Sequence, residues 1–401
     1  MQNLKEKSLQ LHKQSKGKLS VEVKVSIENA DDLSLAYSPG VAEPCKAIYQ
    51  DPQKIYDYTI KGNVVAVVSD GSAVLGLGNI GAGASMPVME GKAALFKAFA
   101  GIDAFPICLN TQDAEEIIQI VKALEPTFGG INLEDISAPN CFIIEERLKK
   151  EMDIPVFHDD QHGTAIVTAA GLINALKVVN KRIEDTKIVI NGAGAAGIAV
   201  TKLLINMNVK DLILCDSKGA IYEGRTHGMN AMKDWISVLT NKENVEGSLT
   251  DVIKEADVFI GVSVAEAVTP QMIESMGKDP IIFAMANPVP EIMPELAKSA
   301  GAAVVGTGRS DLPNQVNNVL AFPGIFKGAL QVSASEINEE MKIAAVYAIA
   351  DLITSEELTY DYVIPHAFDK RVVEAVAKAV ADAAISTGVA RNINMTQPAN
   401  Y

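Results

Sequence analysis

The sequence predicts an α/β protein of two domains, the first on a parallel sheet and the second Rossmann-like. Three observations carry this. Short apolar runs alternate with helical patterns, as repeated strand–helix–strand units require. Gly192, Gly194 and Gly197 form a GxGxxG turn directly after one such run. The ends of the earlier runs collect the carboxylates Asp70, Glu134, Asp135, Asp159 and Asp160. The 401 residues are long for one domain and comfortable for two.

Residues 1–30 are polar and Lys-rich, with a weak helical pattern at Leu4, Leu9 and Leu11. Tyr37 follows in LAYSPGVAEPC, a Pro/Gly-rich loop in which a tyrosine is ordinarily a packing residue. NVVAVV (63–68) is a continuous apolar run, as a strand covered on both faces requires, and it stops at Ser69-Asp70-Gly71. The Gly-rich segment 75–85 lacks nucleotide-binding spacing. A helical pattern over 86–100 leads to a second strand, 103–109. Residues 113–124 are amphipathic, with Ile117, Ile118, Ile120, Val121 and Leu124 expected on the buried side. A third strand runs into Glu134 and Asp135, a helix covers 140–151, and a fourth strand runs into His158. Ligands of open α/β sheets bind at the C-terminal strand ends, so these polar residues are expected in one crevice.

Residues 164–180 read as a long helix bridging to the second domain. There, strands are expected at 187–191, 211–216, 258–263, 280–288 and 302–308. Ala-rich helices at 336–351 and 368–386 are expected to pack back on the first domain.

In the turn Gly192, Gly194, Ala195, Ala196 and Gly197, small residues let a pyrophosphate approach the helix N-terminus, whose dipole favours anions. Asp216 ends the next strand and is placed to accept ribose hydroxyls; this alone points to NAD. Ser217 and Lys218 follow and could hold a 2′-phosphate, so NAD and NADP both stay open.

Glu134, Asp135 and Asp160 are the candidate metal ligands; all-oxygen donors favour Mg²⁺ or Mn²⁺ over zinc. The plainer reading is solvated acids at loop ends. His158 and His162 are four apart, but they sit at a strand end with Asp159 after the first, unlike a zinc-binding HExxH helix. Lys92 and Lys97 lie on a helix otherwise full of Ala, Leu and Phe. Such a lysine either snorkels to solvent or sits in a crevice as a base, and without other observations snorkelling is preferred for both. Asn287 and Asn318 could hydrogen-bond a carboxylate or cap turns.

Net charge is −15, which argues against nucleic-acid or anionic-membrane partners. Cys45, Cys108, Cys141 and Cys215 are widely spaced in apolar surroundings and read as reduced core residues. The first residues lack the apolar stretch of a signal peptide, and no run is long enough to span a bilayer. A cytoplasmic protein is expected.

The segments LAYSPGVAEPC, GLGNIG, PVMEGKAALFKAFAGI, NLEDISAPNCF, HDDQHGTA, INGAGAAG, CDSKG, ANPVPE and NNVLAFPG together resemble the malic enzymes of short bacterial type, over nearly the whole chain. The resemblance implies a substrate and metal domain (1–159, with helices of 319–401 packing back) and an NAD(P)-binding Rossmann domain (160–318). It implies oxidative decarboxylation of (S)-malate to pyruvate and CO₂ with NAD or NADP and Mg²⁺ or Mn²⁺, oxaloacetate decarboxylation beside it, and a homodimer. By the same resemblance Tyr37 is the general acid, Lys92 the general base, Asp159 the partner of Lys92, Glu134, Asp135 and Asp160 the metal ligands, and Asn287 and Asn318 the substrate holders. Longer members carry an Arg just after the Asp-Gly pair that binds a substrate carboxylate; here Ser72 follows Gly71, so that role lacks its carrier. The phosphotransacetylase-like extension of some relatives is expected to be absent.

Overall fold

A computed structural model describes residues 2–74 and 76–392. Strands β1 (Val64–Ser69), β2 (Asp103–Cys108), β3 (Gly130–Leu133) and β4 (Val156–His158) form a four-stranded parallel sheet in the order β2-β1-β3-β4. Every residue of β1 is buried. Val65 and Val67 enter one apolar cluster while Val64, Ala66 and Val68 enter another, so alternate side chains serve two layers. That explains the unbroken apolar run.

Strands β5 (Lys187–Asn191), β6 (Asp211–Asp216), β7 (Gly219–Ala220), β8 (Val258–Gly261), β9 (Ile281–Ala284) and β10 (Val304–Thr307) form the second sheet, in the order β10-β9-β8-β5-β6-β7. All its pairings are parallel except the short return of β7 along β6. Chain order reverses between β8 and β5, which makes the ends of those strands the natural ligand crevice. Three expected strands stop early: 258–263 at Gly261, 280–288 at Ala284 and 302–308 at Thr307. Their remaining residues become loops at the same edge.

Helix Thr164–Val178 is buried over most of its length and joins the domains. It packs against helices Ala195–Asn206 and Glu339–Ala350. Helix Phe322–Gln331 sets Phe322 4.7 Å and Phe326 5.3 Å from Phe96, ring centre to ring centre, edge to face. Phe326 also meets Phe157 beside β4 at 5.9 Å. One apolar cluster therefore runs from the first sheet through the C-terminal helices to the second sheet. Helix Arg371–Ser386 crosses Phe322–Gln331 closely: a Cβ at Gly328 would stand 2.3 Å from the Ala377 carbonyl oxygen. Residues 393–401, the tail of the expected 319–401 segment, lie outside the described residues.

Some expectations need correction. The helix expected at 86–100 starts at Ala82, and from Phe96 to Ala100 its turns widen to π geometry. Ile120 is 39 % exposed, because Ile117, Ile118 and Val121 define a face that Ile120 lies off. Cys45 is exposed, unlike buried Cys141 and Cys215. Helices Ala30–Ala36 and Ala42–Gln50 bury none of their residues, and Leu4, Leu9, Leu11, Val21 and Val23 are exposed. No helix among the described residues is long and apolar enough to cross a membrane.

Candidate active site

Lys92 does not snorkel. It lies near the C-terminal end of helix Ala82–Leu95, is buried, and points Nζ at two carboxylates, 2.5 Å from Asp159 Oδ2 and 2.8 Å from Glu134 Oε1. The Phe322 ring lies beneath the ammonium, 4.3 Å from its centre. Lys97, five residues on, has an exposed side chain paired with Asp103. For Lys97 the snorkelling expectation describes the structure; for Lys92 it fails, because sheet edge and C-terminal helices enclose the side chain.

Glu134 and Asp135 follow β3, and Asp159 and Asp160 follow β4. Asp135 has a left-handed backbone, φ 54°, and its N–H donates to Asp160 Oδ2 at 2.8 Å. Asn132 Nδ2 donates to Glu134 Oε2 at 2.9 Å. One oxygen each from Glu134, Asp135 and Asp160 lies within 4.8 Å of the others. Four carboxylates thus gather about one ammonium, three of them buried and Asp160 partly exposed. Burial pushes the Asp159 carboxyl up to about 7 and the Asp160 carboxyl up to about 6, against the opposing pull of Lys92. Burial also raises Glu134. Burial alone would lower Lys92, but Asp159, Glu134 and Asp160 outweigh it and hold its ammonium above its usual range. Three converging oxygens with an excess of negative charge suit a hard divalent cation, so the residues fit Mg²⁺ or Mn²⁺.

Residues 159–163 form a single π-helical turn, a device frequent at functional sites. A Cβ at Gly163 would lie 1.9 Å from Asp159 Oδ1, so only glycine leaves room for that carboxylate. Asn318 Nδ2 donates to Asp159 Oδ2. The turn is anchored by Glu145, which the sequence reading missed. Glu145 accepts from Gln161 Nε2 at 3.1 Å, lies 2.6 Å from His162 Nε2 and pairs with Lys149 at 2.8 Å. His162 Nδ1 meets Lys342 Nζ at 3.2 Å. Both ring nitrogens of His162 are thereby occupied, and the converging cluster found among the described residues is all carboxylate, with neither His158 nor His162 in it. Glu145 follows Ile144 on the buried side of helix Asn140–Glu151; a Glu on an apolar face was the available signal.

Other candidates lie apart from this cluster. Tyr37 is 70 % exposed and makes no side-chain hydrogen bond with the described residues. Asn287, exposed beyond the end of β9, precedes a cis proline, and its backbone oxygen approaches Gly76 of the first domain. Ser72 is locked into its own turn: its hydroxyl donates to Asp70 Oδ1 at 2.6 Å and accepts from the Ser137 N–H at 2.8 Å. It does not present itself as a carboxylate binder.

On the second sheet the three glycines have separate reasons. Gly192 has φ +119°, and a Cβ there would meet the Val262 carbonyl oxygen at 2.4 Å. A Cβ at Gly197 would fall 1.7 Å from the Gly192 carbonyl oxygen, so helix and turn touch. Gly194 faces open space within 4 Å, where a pyrophosphate needs room. Helix Ala195–Asn206, opened by Ala195 and Ala196, has no side-chain cap on its N-terminus. Asp216 is already engaged. Arg225, whose side chain is buried, grips both its oxygens, and Lys233 Nζ lies 2.6 Å from Oδ2. Although burial opposes it, these two cations hold the Asp216 carboxyl at about 2. Ser217 and Lys218 are exposed beside it. Arg225 and Lys233 lie 9 and 17 residues beyond Asp216, and sequence reasoning did not find them.

A buried lysine among carboxylates, on a site whose 159–163 turn packs against the helix opened by a dinucleotide turn, is the equipment of a nicotinamide-dependent oxidoreductase that also handles a cation. Comparison with known proteins narrows the class. The malic enzyme N-terminal domain profile matches residues 16–149, and the malic enzyme NAD-binding domain profile matches residues 161–385. The chain belongs to the malic enzyme family. It is 69 % identical to a bifunctional malic/malolactic enzyme of Bacillus subtilis (strain 168), over 97 % of this chain and 95 % of that protein. It is 60 % identical to an NAD-dependent malic enzyme of Geobacillus stearothermophilus, over 94 % of this chain and 79 % of that protein. The crystal structure of a malic enzyme from Pyrococcus horikoshii shares 50 % identity and superposes with a TM-score of 0.92, covering 97 % of this chain and 92 % of that one.

Proposed function

We propose that this chain oxidatively decarboxylates (S)-malate to pyruvate and CO₂, reducing NAD⁺ or NADP⁺, with Mg²⁺ or Mn²⁺ held by Glu134, Asp135 and Asp160. The observation that carries the reading is the burial of Lys92 between Glu134 and Asp159, the latter on a turn that packs against the helix opened by the dinucleotide turn. When bound, the cation supplies Lewis-acid polarisation of the oxygen that passes from hydroxyl to ketone, and the nicotinamide accepts hydride. Lys92 takes the hydroxyl proton. A cation held by Glu134 would take from Lys92 one of its two carboxylate partners, which would favour the neutral amine that a base requires. Asp159, fixed by Asn318, keeps the ammonium oriented. Asn287 and Asn318 hold the substrate carboxylates. Oxaloacetate would enter at the decarboxylation step.

Tyr37, the proton donor to C3, is exposed in the single chain, whereas Lys92 is enclosed. The arm that carries it leaves apolar side chains bare, which supports a homodimer in which Tyr37 completes the partner's site. Tyr37→Phe and Lys92→Ala, each inactive alone, should restore activity when coexpressed, because a hybrid dimer then holds one intact site. No restoration places both residues in one subunit's site. Four unpaired cysteines support a reducing, cytoplasmic setting.

Malate, Mn²⁺ and each nucleotide, with pyruvate and reduced nicotinamide followed together, test the reaction. Stoichiometric products are expected; reduced nicotinamide without pyruvate would leave a simple dehydrogenase. The name of the Bacillus subtilis relative favours a second outcome, lactate without net nicotinamide reduction, in which pyruvate is reduced before release.

A further inference from the structure

A cavity of about 370 Å³ lies where helix Asn140–Glu151 faces helices Ala195–Asn206, Ala231–Ser237 and Glu339–Ala350. None of Lys92, Glu134, Asp135, Asp159 or Asp160 lines it, nor does the glycine turn. Its volume suits a small ligand and is too small for a dinucleotide.

Phe142, Leu203, Met232, Trp235 and Leu239 give it apolar walls. Its charges are mostly spent on one another. Glu145 pairs with Lys149 at 2.8 Å, Glu339 with Lys342 at 2.6 Å, and Glu146 with Lys150, outside the cavity, at 2.6 Å. Lys202 is left over. Its Nζ lies 4.6 Å from the centre of the Trp235 ring; Glu145, Glu339 and Glu146 act on it across the cavity, but none of the ion pairs among the described residues includes it. One unspent cation, beside an indole and above apolar walls, selects one negative charge on an apolar body. A dicarboxylate or a phosphate would bring further negative charge against Glu145, Glu146 and Glu339.

We propose that this cavity binds an amphipathic monocarboxylate, with its carboxylate on Lys202 and its apolar body against Trp235, Met232 and Leu239. Two walls connect it to the machinery above. Gln161 and His162 belong to the turn that carries Asp159 and Asp160, and Trp235 shares a short helix with Lys233. An effect of occupancy on malate turnover therefore follows, and that part rests on the proposed reaction; the binding does not.

Trp235 is the only tryptophan of the chain, so its fluorescence reports on this cavity alone. The full-length protein is titrated with 4-methylpentanoate, a branched monocarboxylate transparent at the excitation wavelength, and with 4-methylpentanamide. A saturable change is expected with the acid and none with the amide. Lys202→Met should weaken the acid at least about tenfold, and Lys202→Arg should retain it. Leu239→Asp, at a half-exposed wall position that tolerates change, should weaken it as well. Saturating malate and Mn²⁺ should leave the titration in place. Absence of a saturable change in the unmodified chain, equal binding by Lys202→Met, or displacement by malate overturns the proposal. Because the readout is binding, inactivity towards malate would sink the proposed reaction and leave this result standing.

Discussion

At the C-terminal edge of the first sheet, β3 and β4 deliver four carboxylates, and a neighbouring helix adds Lys92, into a cluster that is buried except at Asp160. At the same edge of the second sheet, β5 delivers glycines, and β6 delivers one carboxylate already covered by Arg225 and Lys233. The first edge concentrates negative charge and raises carboxyl pKa values; the second exposes backbone and leans positive. The difference follows from the work expected of each. Proton and cation chemistry needs charge held out of water, where it acts strongly. Binding an anionic dinucleotide needs close backbone approach and no repulsion.

Removing the charge at the centre of the first edge gives the largest expected effect. Lys92→Ala should lower kcat about 10²- to 10⁴-fold, the usual worth of a positioned base, while NADH binding, measured by nucleotide fluorescence, stays as it was. A kcat within about tenfold of the parent would take the base role from Lys92.

Metal binding sharpens the same contrast through pH. Asp159 and Asp160 have raised pKa values, about 7 and about 6, so between 3.8 and those values the folded chain binds more protons than the unfolded chain. The metal-free protein therefore loses stability from these groups as pH rises through that window. A cation needs the ionised carboxylates, so its stabilisation should grow over the same window and level off above about pH 7. At a Mn²⁺ concentration about 100 times its dissociation constant the gain is about 2.7 kcal/mol, readable as a rise in Tm. Asp160→Asn should abolish most of that rise; an undiminished rise would remove Asp160 from the ligand set.

The second edge breaks in a different manner, through space rather than charge. Gly197→Ala drives a Cβ into the Gly192 carbonyl oxygen, and a loss of about 3 kcal/mol of stability is expected by denaturant melting. Gly194→Ala meets no atom of the chain within 4 Å. Its stability should be unchanged while dinucleotide binding weakens by about 1–3 kcal/mol. If both variants melt alike, the separate roles of the two glycines fail.

The two edges were unequally legible in the sequence. Strand ends and the glycine turn are local features, so the alternation of patterns placed Asp135, Asp160, Gly192 and Gly197 at the correct edges. Lys92 was not legible from pattern. A lysine on an Ala-rich helix reads alike whether it reaches water or a carboxylate 67 residues away, and only the enclosing Phe322 and Asp159 decide. The family resemblance named Lys92 where periodicity could not. Ile120 misled for the converse reason, since an apolar residue off the buried face costs little. Arg225 sits in an irregular segment after β7 and Lys233 in the short helix Ala231–Ser237, and no period links either to Asp216.

That clamp decides the smallest effect and bears on which nucleotide the second edge accepts. An uncovered Asp216 would repel a 2′-phosphate. Here Arg225 and Lys233 more than offset its charge, and exposed Lys218 adds another cation. The edge should therefore accept NADP⁺ as well as NAD⁺. The two cations are not equivalent. Arg225 also donates to the Gly219 and Ala220 carbonyls and is buried, so it serves the loop. Lys233, less enclosed than Arg225, has its ammonium on Asp216 and the Gly228 carbonyl. A charge-assisted hydrogen bond is worth about 1.5–3 kcal/mol, so Lys233→Ala should lower kcat/KM for NADP⁺ about 10- to 100-fold. NAD⁺, lacking the phosphate, should be nearly unaffected. Equal losses with both nucleotides would mean that Lys233 only braces Asp216, and that the positive lean of this edge is a matter of folding rather than of choice between nucleotides.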